Sequence, residues 1–363
     1  MKKKRQIALL LVSLFLMSIM LSGAAVAESG QMQLTLDQAL DLAVKNNHQM
    51  ELDKLSVEKA KLQLEEAKYS AKKYKDEYLT TLDLAKLKYV VPISAEMNLL
   101  IAENKARVST DSLKLEVEKN YYEMLKQQAA LKNAQTALTR ANEQLKLTQS
   151  KYKAGVAAQS DVIADEVKVA NQEAAVFQAQ NSYDKAKVAM AKSLGLSLDT
   201  SFEPVTKFTY NPAKIDLAAE IERGLKNNVE VIAAQETIKV AEATFEQTKK
   251  YYPSIVFAYR QAEFDVANSK AQYTNTKANA ELKIRQAYFD MLSAEKAYKT
   301  LETSLKNAQE TYRVAALRYK AGVATRIEME MAADSLHKQE DAVMEALYTY
   351  NLAAAQFRYG LFF

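Results

Sequence analysis

Between Pro92 and Gly155 the chain runs for 62 residues without a proline or a glycine, and between Pro253 and Gly322 it does so for 68. Those two residue types are the strongest interrupters of regular structure. At 1.5 Å per residue, each run is long enough for a helix of about 90 to 100 Å. Helices on a globular core are far shorter, so the runs predict rods that pack along their length. Within the first run, Leu131, Leu138, Leu145 and Tyr152 recur every seventh residue, and Ala134, Ala141 and Thr148 follow three positions behind the leucines. The second run repeats the seam with Tyr298, Leu305, Tyr312 and Tyr319, beside Leu301, Ala308 and Ala315. A seven-residue apolar repeat is the signature of a coiled coil, and alanine along one side lets two backbones approach closely.

The two runs belong to an internal duplication. YKAGVA at Tyr152 to Ala157 recurs at Tyr319 to Ala324, an offset of 167, and Tyr121, Met124 and Tyr183 meet Tyr288, Met291 and Tyr350 at the same offset. Upstream, KNN at Lys45 to Asn47 meets KNN at Lys226 to Asn228 at an offset of 181, so copy two lacks 14 residues between Asn228 and Tyr288. Each copy reads as a short first helix, a very long helix, a tight turn at the glycine of YKAGVA, and a returning helix. Gly155 and Gly322 suit a helix C-cap, where φ is positive, and Ser160 or Asp161 suits the cap of the returning helix. The fold class is therefore all-α, with long antiparallel coiled-coil helices in two tandem repeats. The repeats span 28–196 and 214–363, with a linker at 197–213 that carries Pro204 and Pro212.

Residues 1–27 read as a signal peptide: Lys2, Lys3, Lys4 and Arg5 precede an uncharged apolar run from Ile7 to Leu21, and Ala25-Val26-Ala27 suits cleavage after Ala27. The formal charge of +4 resides in those four basic residues, and the remainder balances 45 basic against 45 acidic side chains. A balanced chain gives no argument for a nucleic-acid partner. No later stretch approaches the roughly 18 consecutive apolar residues of a spanning helix. Without cysteine there are no disulfides, thiolate metal sites or lipidated cysteine. His48 and His337 are the only histidines and neither has a second at ligand spacing, so both are expected on charged helix surfaces, with no metal. No Gly-rich phosphate loop or nucleophile elbow is present, which leaves an enzyme reading without chemistry and predicts no cofactor.

The pattern Leu34-Thr35-Leu36, Ala39-Leu40, Ala43, Asn46-Asn47, the YKAGVA turn followed by Asp161-Val162, and the repeat end Leu194-Gly195-Leu196 resemble the TolC-type outer-membrane efflux protein family. The resemblance covers most of residues 34 to 361. It implies a protomer of a helical tunnel that three chains close, with a β-barrel in the outer membrane. The tunnel tip meets a periplasmic membrane-fusion adaptor and an inner-membrane exporter. It also implies tip turns at Gly155 and Gly322 and a constriction lined by Asp161, Tyr319, Arg326 and Glu328. Arg326 lies two residues beyond the family's gate arginine, whose place Ala324 holds, and Met331 stands where the family has a further acid. As first-turn acids, Asp161 and Glu328 equally suit plain helix capping.

A membrane strand needs about 9 to 11 residues plus turns, and the family carries two per copy. Copy one offers only Tyr69 to Val91, which includes Lys72, Lys73, Lys75, Asp76 and Glu77. Copy two keeps Tyr251 to Phe257, like the start of a strand, and turns helix-prone from Gln261 to Lys270. Little or no β-barrel is expected. The leading function is an exit-duct component of an efflux or type I secretion system in the cell envelope, acting as a homo-oligomer, with an exported coiled-coil scaffold lacking a pore as the alternative.

Overall fold

The protein is described by a computed structural model over residues 32–362, so the signal-peptide expectation for 1–27 lies outside the described residues. Strand β1 (Met32–Leu34) leads into α1 (Leu36–Asn46) and α2 (His48–Lys73), then a 3-10 turn at Asp76–Tyr78 and α3 (Leu82–Tyr89). The first long helix, α4 (Val91–Lys153), turns back as α5 (Gln159–Ser193). After β2 (Phe202–Pro204), the second copy runs α6 (Leu217–Asn227), α7 (Val229–Tyr251), the second long helix α8 (Phe257–Lys320) and α9 (Arg326–Tyr359). The long helices hold 63 and 64 residues, about 95 Å each.

Local chemistry explains the breaks. Thr35 and Gln38 close a reciprocal capping box at the start of α1, with each side chain accepting the other's backbone N–H. The duplicated KNN is a cap within a helix pair: Asn47 accepts the Gln49 N–H at 2.8 Å, and Asn228 accepts those of Glu230 and Val231 at 2.9 and 3.0 Å. The expected single short helix ahead of each long one is therefore two helices broken at an asparagine. Pro92 sits in the first turn of α4, where a missing N–H costs nothing.

At mid-length, α1 packs on α4 and α6 on α8, while β1 pairs in parallel with β2, so the linker returns to the chain's first strand. The main core lies here, around Leu34, Val117, Tyr121, Met124, Met190 and Phe202, all almost fully buried. Equivalent tyrosines of the two copies tie the linker down. The Tyr183 hydroxyl bonds Glu203, whereas the Tyr350 hydroxyl donates to Asn211 O at 3.0 Å and accepts the Ala213 N–H at 2.8 Å. Beside them Glu118, fully buried on α4, accepts from Arg358 Nη1 at 2.6 Å and from the Tyr122 hydroxyl at 2.5 Å. The end of copy two is thus bolted to the middle of copy one.

Burial, and then the Glu203 and Glu118 carboxylates, push Tyr183 and Tyr122 well above the usual phenol value of 10. Burial and Glu118 do the same to Tyr359. The unfolded chain gives up these protons near pH 10 while the folded chain keeps them, so their stabilisation is complete below pH 10 and is lost as pH rises through the raised values. We expect alkaline unfolding to begin above pH 10, with tyrosinate absorbance appearing in step with loss of helical circular dichroism. Full ionisation of all tyrosines with the helices intact would contradict the burial of these three.

From mid-length, α5 and α9 run beside the second halves of α4 and α8 to the glycine turns, and α9 also packs against α4. In the other direction α2 and α7 accompany the first halves of α4 and α8, and α3 packs on α7. Copy one connects its helices there through residues 74–90, and copy two through 252–256 alone. Most of the residues that copy two lacks belong to this connection. The only strands among the described residues are β1 and β2. The strand start expected at Tyr251 to Phe257 is instead a turn: Tyr251 closes α7, Pro253 O accepts the Val256 N–H at 3.0 Å, and α8 begins at Phe257. A strand there would have no partner for its backbone, and proline removes one of its donors. No helix among the described residues is long and apolar enough to cross a membrane.

Candidate functional site at the glycine turns

Both long helices end in the same way. Gly155 has φ 75° and Gly322 φ 77°, and the residue after each closes the helix with a long-range backbone bond, Val156 N–H to Lys151 O and Val323 N–H to Arg318 O, both 2.9 Å. This is the Schellman pattern, which needs a residue in the left-handed region. A Cβ built at either glycine meets nothing within 4 Å, so the demand for glycine comes from the backbone rather than from crowding. Gly155→Val and Gly322→Val should each destabilise the protein by roughly 1 kcal/mol or more, read as a lowered thermal midpoint. Unchanged midpoints in both variants would mean that φ is not positive there.

The returning helices are capped differently. The N-cap of α9 is Thr325, whose hydroxyl accepts the Glu328 N–H at 3.3 Å while Glu328 accepts the Thr325 N–H at 2.8 Å. The Thr325 N–H donated to it, foremost, and the Thr325 hydroxyl beside it hold the Glu328 carboxyl below its usual range. The N-cap of α5 is Ala158, not Ser160 or Asp161, and Asp161 supplies only the return half of the box by accepting the Ala158 N–H at 3.2 Å. Alanine has no side-chain acceptor, so the N3 acid carries that role alone.

The equivalent tyrosines part company. Tyr152 faces solvent, whereas Tyr319 is buried against α4, with Gln144 Nε2 at 3.1 Å and Lys151 Nζ at 3.4 Å from its hydroxyl and the Lys151 ammonium 4.4 Å from its ring centre. Arg326 does not point into open space. Its Nη1 donates to Asp165 Oδ1 at 2.6 Å, its Nε lies 3.6 Å from Glu330, and Lys168 reaches Glu330 at 3.5 Å. Asp165 is 1 % exposed, so a buried ion pair locks the start of α9 to α5 within one chain. The site residues therefore fall into two groups: Tyr319 and Arg326 hold the four helices together, while Asp161 and Glu328 sit at the exposed helix starts. His48 is exposed, and His337 lies on α9 with 40 % of its side chain exposed and Glu340 and Asp341 each at 3.8 Å.

Asp165, Lys168 and Glu330 were not legible as site residues from spacing. A signal exists in the asymmetry of the copies: Arg326 stands opposite Gln159 in copy one, and Asp165 opposite Ala332 in copy two. Opposite charges that each appear once, in different copies, mark a contact between copies rather than a repeated feature. Beyond the lock, the turn end carries bare apolar side chains: Val156 is 74 % and Val323 65 % exposed, with Ile327 and Met331 beside the second turn. Farther along α5, Ile163, Val167 and Phe177 form an exposed stripe at helical spacing.

Comparison with known proteins gives consistent results. The family model described as outer membrane efflux protein matches residues 94–196 and 255–359. The two matched blocks hold the long helices, the glycine turns and the returning helices, and the gap between them holds the linker and the α6–α7 pair. No curated protein matches. Among solved structures, the outer membrane protein VceC of Vibrio cholerae superposes with a TM-score of 0.72 at 15% identity, over 90% of this chain and 95% of that one. The CmeC outer membrane channel of Campylobacter jejuni gives 0.65 at 13%, over 90% and 85%. The open state of the MtrE outer membrane channel of Neisseria gonorrhoeae gives 0.63 at 18%, over 90% and 88%. At such identities the likeness is one of fold.

Proposed function

The chain belongs to the outer membrane efflux protein family, and from that premise we propose that it is an exit-duct component of an efflux or type I secretion system. Three copies associate side by side, and their glycine turns dock a periplasmic adaptor that couples them to an inner-membrane exporter. Passage through the duct is transport without a covalent step. The family is one of channels in the cell envelope and not of enzymes.

The observation that carries the reading is the turn end itself. A rigid four-helix bundle, locked by the Arg326–Asp165 pair, presents two matched turns with Val156 and Val323 bare. Apolar side chains held at a fixed separation on rigid supports are what a partner can grip with little ordering cost. The stripe on α5 supplies a lateral surface for a neighbouring copy. In a closed ring Asp161 and Glu328 of three copies gather around the mouth, and their focused negative field favours cations.

One observation favours a pore-less scaffold instead, namely that the connections at 74–90 and 252–256 hold no strands. The two readings separate on the mass of the purified protein in mild detergent and on ion conductance in planar bilayers. The duct requires a trimer and a conductance that Asp161→Ala with Glu328→Ala alters strongly, with only the small stability loss of weakened caps. A strictly monomeric protein without conductance, and without adaptor cross-linked at Val156 or Val323, would establish the scaffold.

A further inference from the structure

The end of the molecule away from the glycine turns carries its most exposed apolar side chains. Ile255 and Phe257 are each 87 % exposed, more than any other large hydrophobic residue among the described residues. They project from the turn that joins α7 to α8, and that turn is held in place. The Tyr251 hydroxyl just before it donates to Leu79 O at 2.7 Å in the other connection. The Lys250 ammonium lies 5.2 Å from the Tyr89 ring centre, and Phe245 packs edge-on against Tyr259 at 5.1 Å. Both connections thus form one built surface rather than two loose loops.

Its chemistry is of one kind. Residues 69–91 and 246–260 together hold eight basic side chains against four acidic ones, and eight tyrosines and phenylalanines. Of the acids, Asp76 is engaged by Lys88 at 2.6 Å and by the Tyr89 hydroxyl, and Glu246 by Lys249 at 2.5 Å. The next acids on α8, Glu263 and Asp265, lie roughly 9 Å or more down that helix from Phe257. Lys72, Lys73 and Lys75 crowd the end of α2, and Tyr69 and Tyr78 beside them are 64 % and 63 % exposed. Bare aliphatic and aromatic tips ringed by tyrosine and lysine are the composition of a surface that rests in the boundary between headgroups and acyl chains.

We propose that this end is a membrane-surface wedge: Ile255 and Phe257 insert into the boundary layer of an anionic phospholipid bilayer, while the lysines of both connections hold its phosphates. Long lysine side chains reach outward from an inserted apolar body to the charged plane, so insertion and charge act together. No helix among the described residues is long and apolar enough to cross a membrane, and the wedge as proposed lies on the bilayer. The proposal stands apart from the duct reading, since a pore-less scaffold would engage lipid in the same way.

The chain has no tryptophan, so Phe257→Trp introduces a single reporter at the wedge. With vesicles of phosphatidylglycerol and phosphatidylcholine, its emission should shift to the blue and be quenched by brominated acyl chains, and both effects should weaken in pure phosphatidylcholine and in high salt. In co-sedimentation with the same vesicles, Ile255→Ser with Phe257→Ser should weaken binding at least about tenfold, while Val156→Ser with Val323→Ser at the opposite end should change it less than about twofold. Circular dichroism of each variant checks that the helices are intact. Wild-type binding by the loop variant, or no binding by the unaltered protein, would overturn the proposal. So would a blue shift that follows protein concentration without lipid, because a second copy would then be covering the turn.

Discussion

Arg358→Ala should lower the unfolding free energy by about 3 kcal/mol, the low end of the cost of breaking a buried ion pair. Glu118 is fully buried and, among the described residues, Arg358 is the cation at its carboxylate, so the variant leaves a negative charge inside the mid-length core with tyrosine hydroxyls for company. The guanidinium itself is 54 % exposed, which argues against the top of the range because solvent already screens part of its field. The loss is expected in global unfolding, since the pair joins α9 of copy two to the centre of α4 beside the main core of copy one. Adding Glu118→Gln should restore a large part of it by removing the stranded charge. An Arg358→Ala protein as stable as the original in urea would refute this account of the bolt.

Arg326→Ala should cost a similar amount, about 3 kcal/mol, but only at the turn end. Asp165 is 1 % exposed and its carboxylate pairs with Arg326 at 2.6 Å, so truncation leaves it buried and uncompensated. Four-helix packing at mid-length is remote from this contact, and local opening can proceed without global unfolding. Hydrogen exchange should therefore accelerate by about a hundredfold or more over the first turns of α9 and α5, with protection of α4 near Tyr121 unchanged. Asp165→Asn in the same chain should slow the exchange again. If exchange rises evenly along the whole chain, the pair is part of one cooperative core and the turn end is not a separate unit.

Much of the fold was legible because its punctuation is sparse. Pro92, Gly155, Pro253 and Gly322 bracket the two long helices almost to the residue, and the equal offset of 167 announced that they turn alike. What spacing could not supply was the partner of each side chain. The seam showed that Tyr152 and Tyr319 occupy matching places, yet one faces solvent and the other is buried, because only the second meets Gln144 and Lys151 of the other copy. The KNN repeat was visible as a repeat and invisible as a helix break, since an asparagine that caps and an asparagine inside a helix differ only in backbone angles. Tyr251 to Phe257 misled for a related reason: β-branched and aromatic residues suit a strand only when another strand lies alongside.

The uninterrupted passage of α4 and α8 through mid-length has a consequence for how such a molecule changes over time. Residues added or removed in 74–90 or 252–256 fall beyond the ends of both long helices, so they leave the seven-residue phase toward the glycine turns untouched. The unequal connections of the two copies illustrate it: the offset drops from 181 to 167 across them, then stays fixed from Tyr121 through Tyr183. One end of the rod can be remodelled by insertion or deletion, while the other keeps its register with whatever grips it.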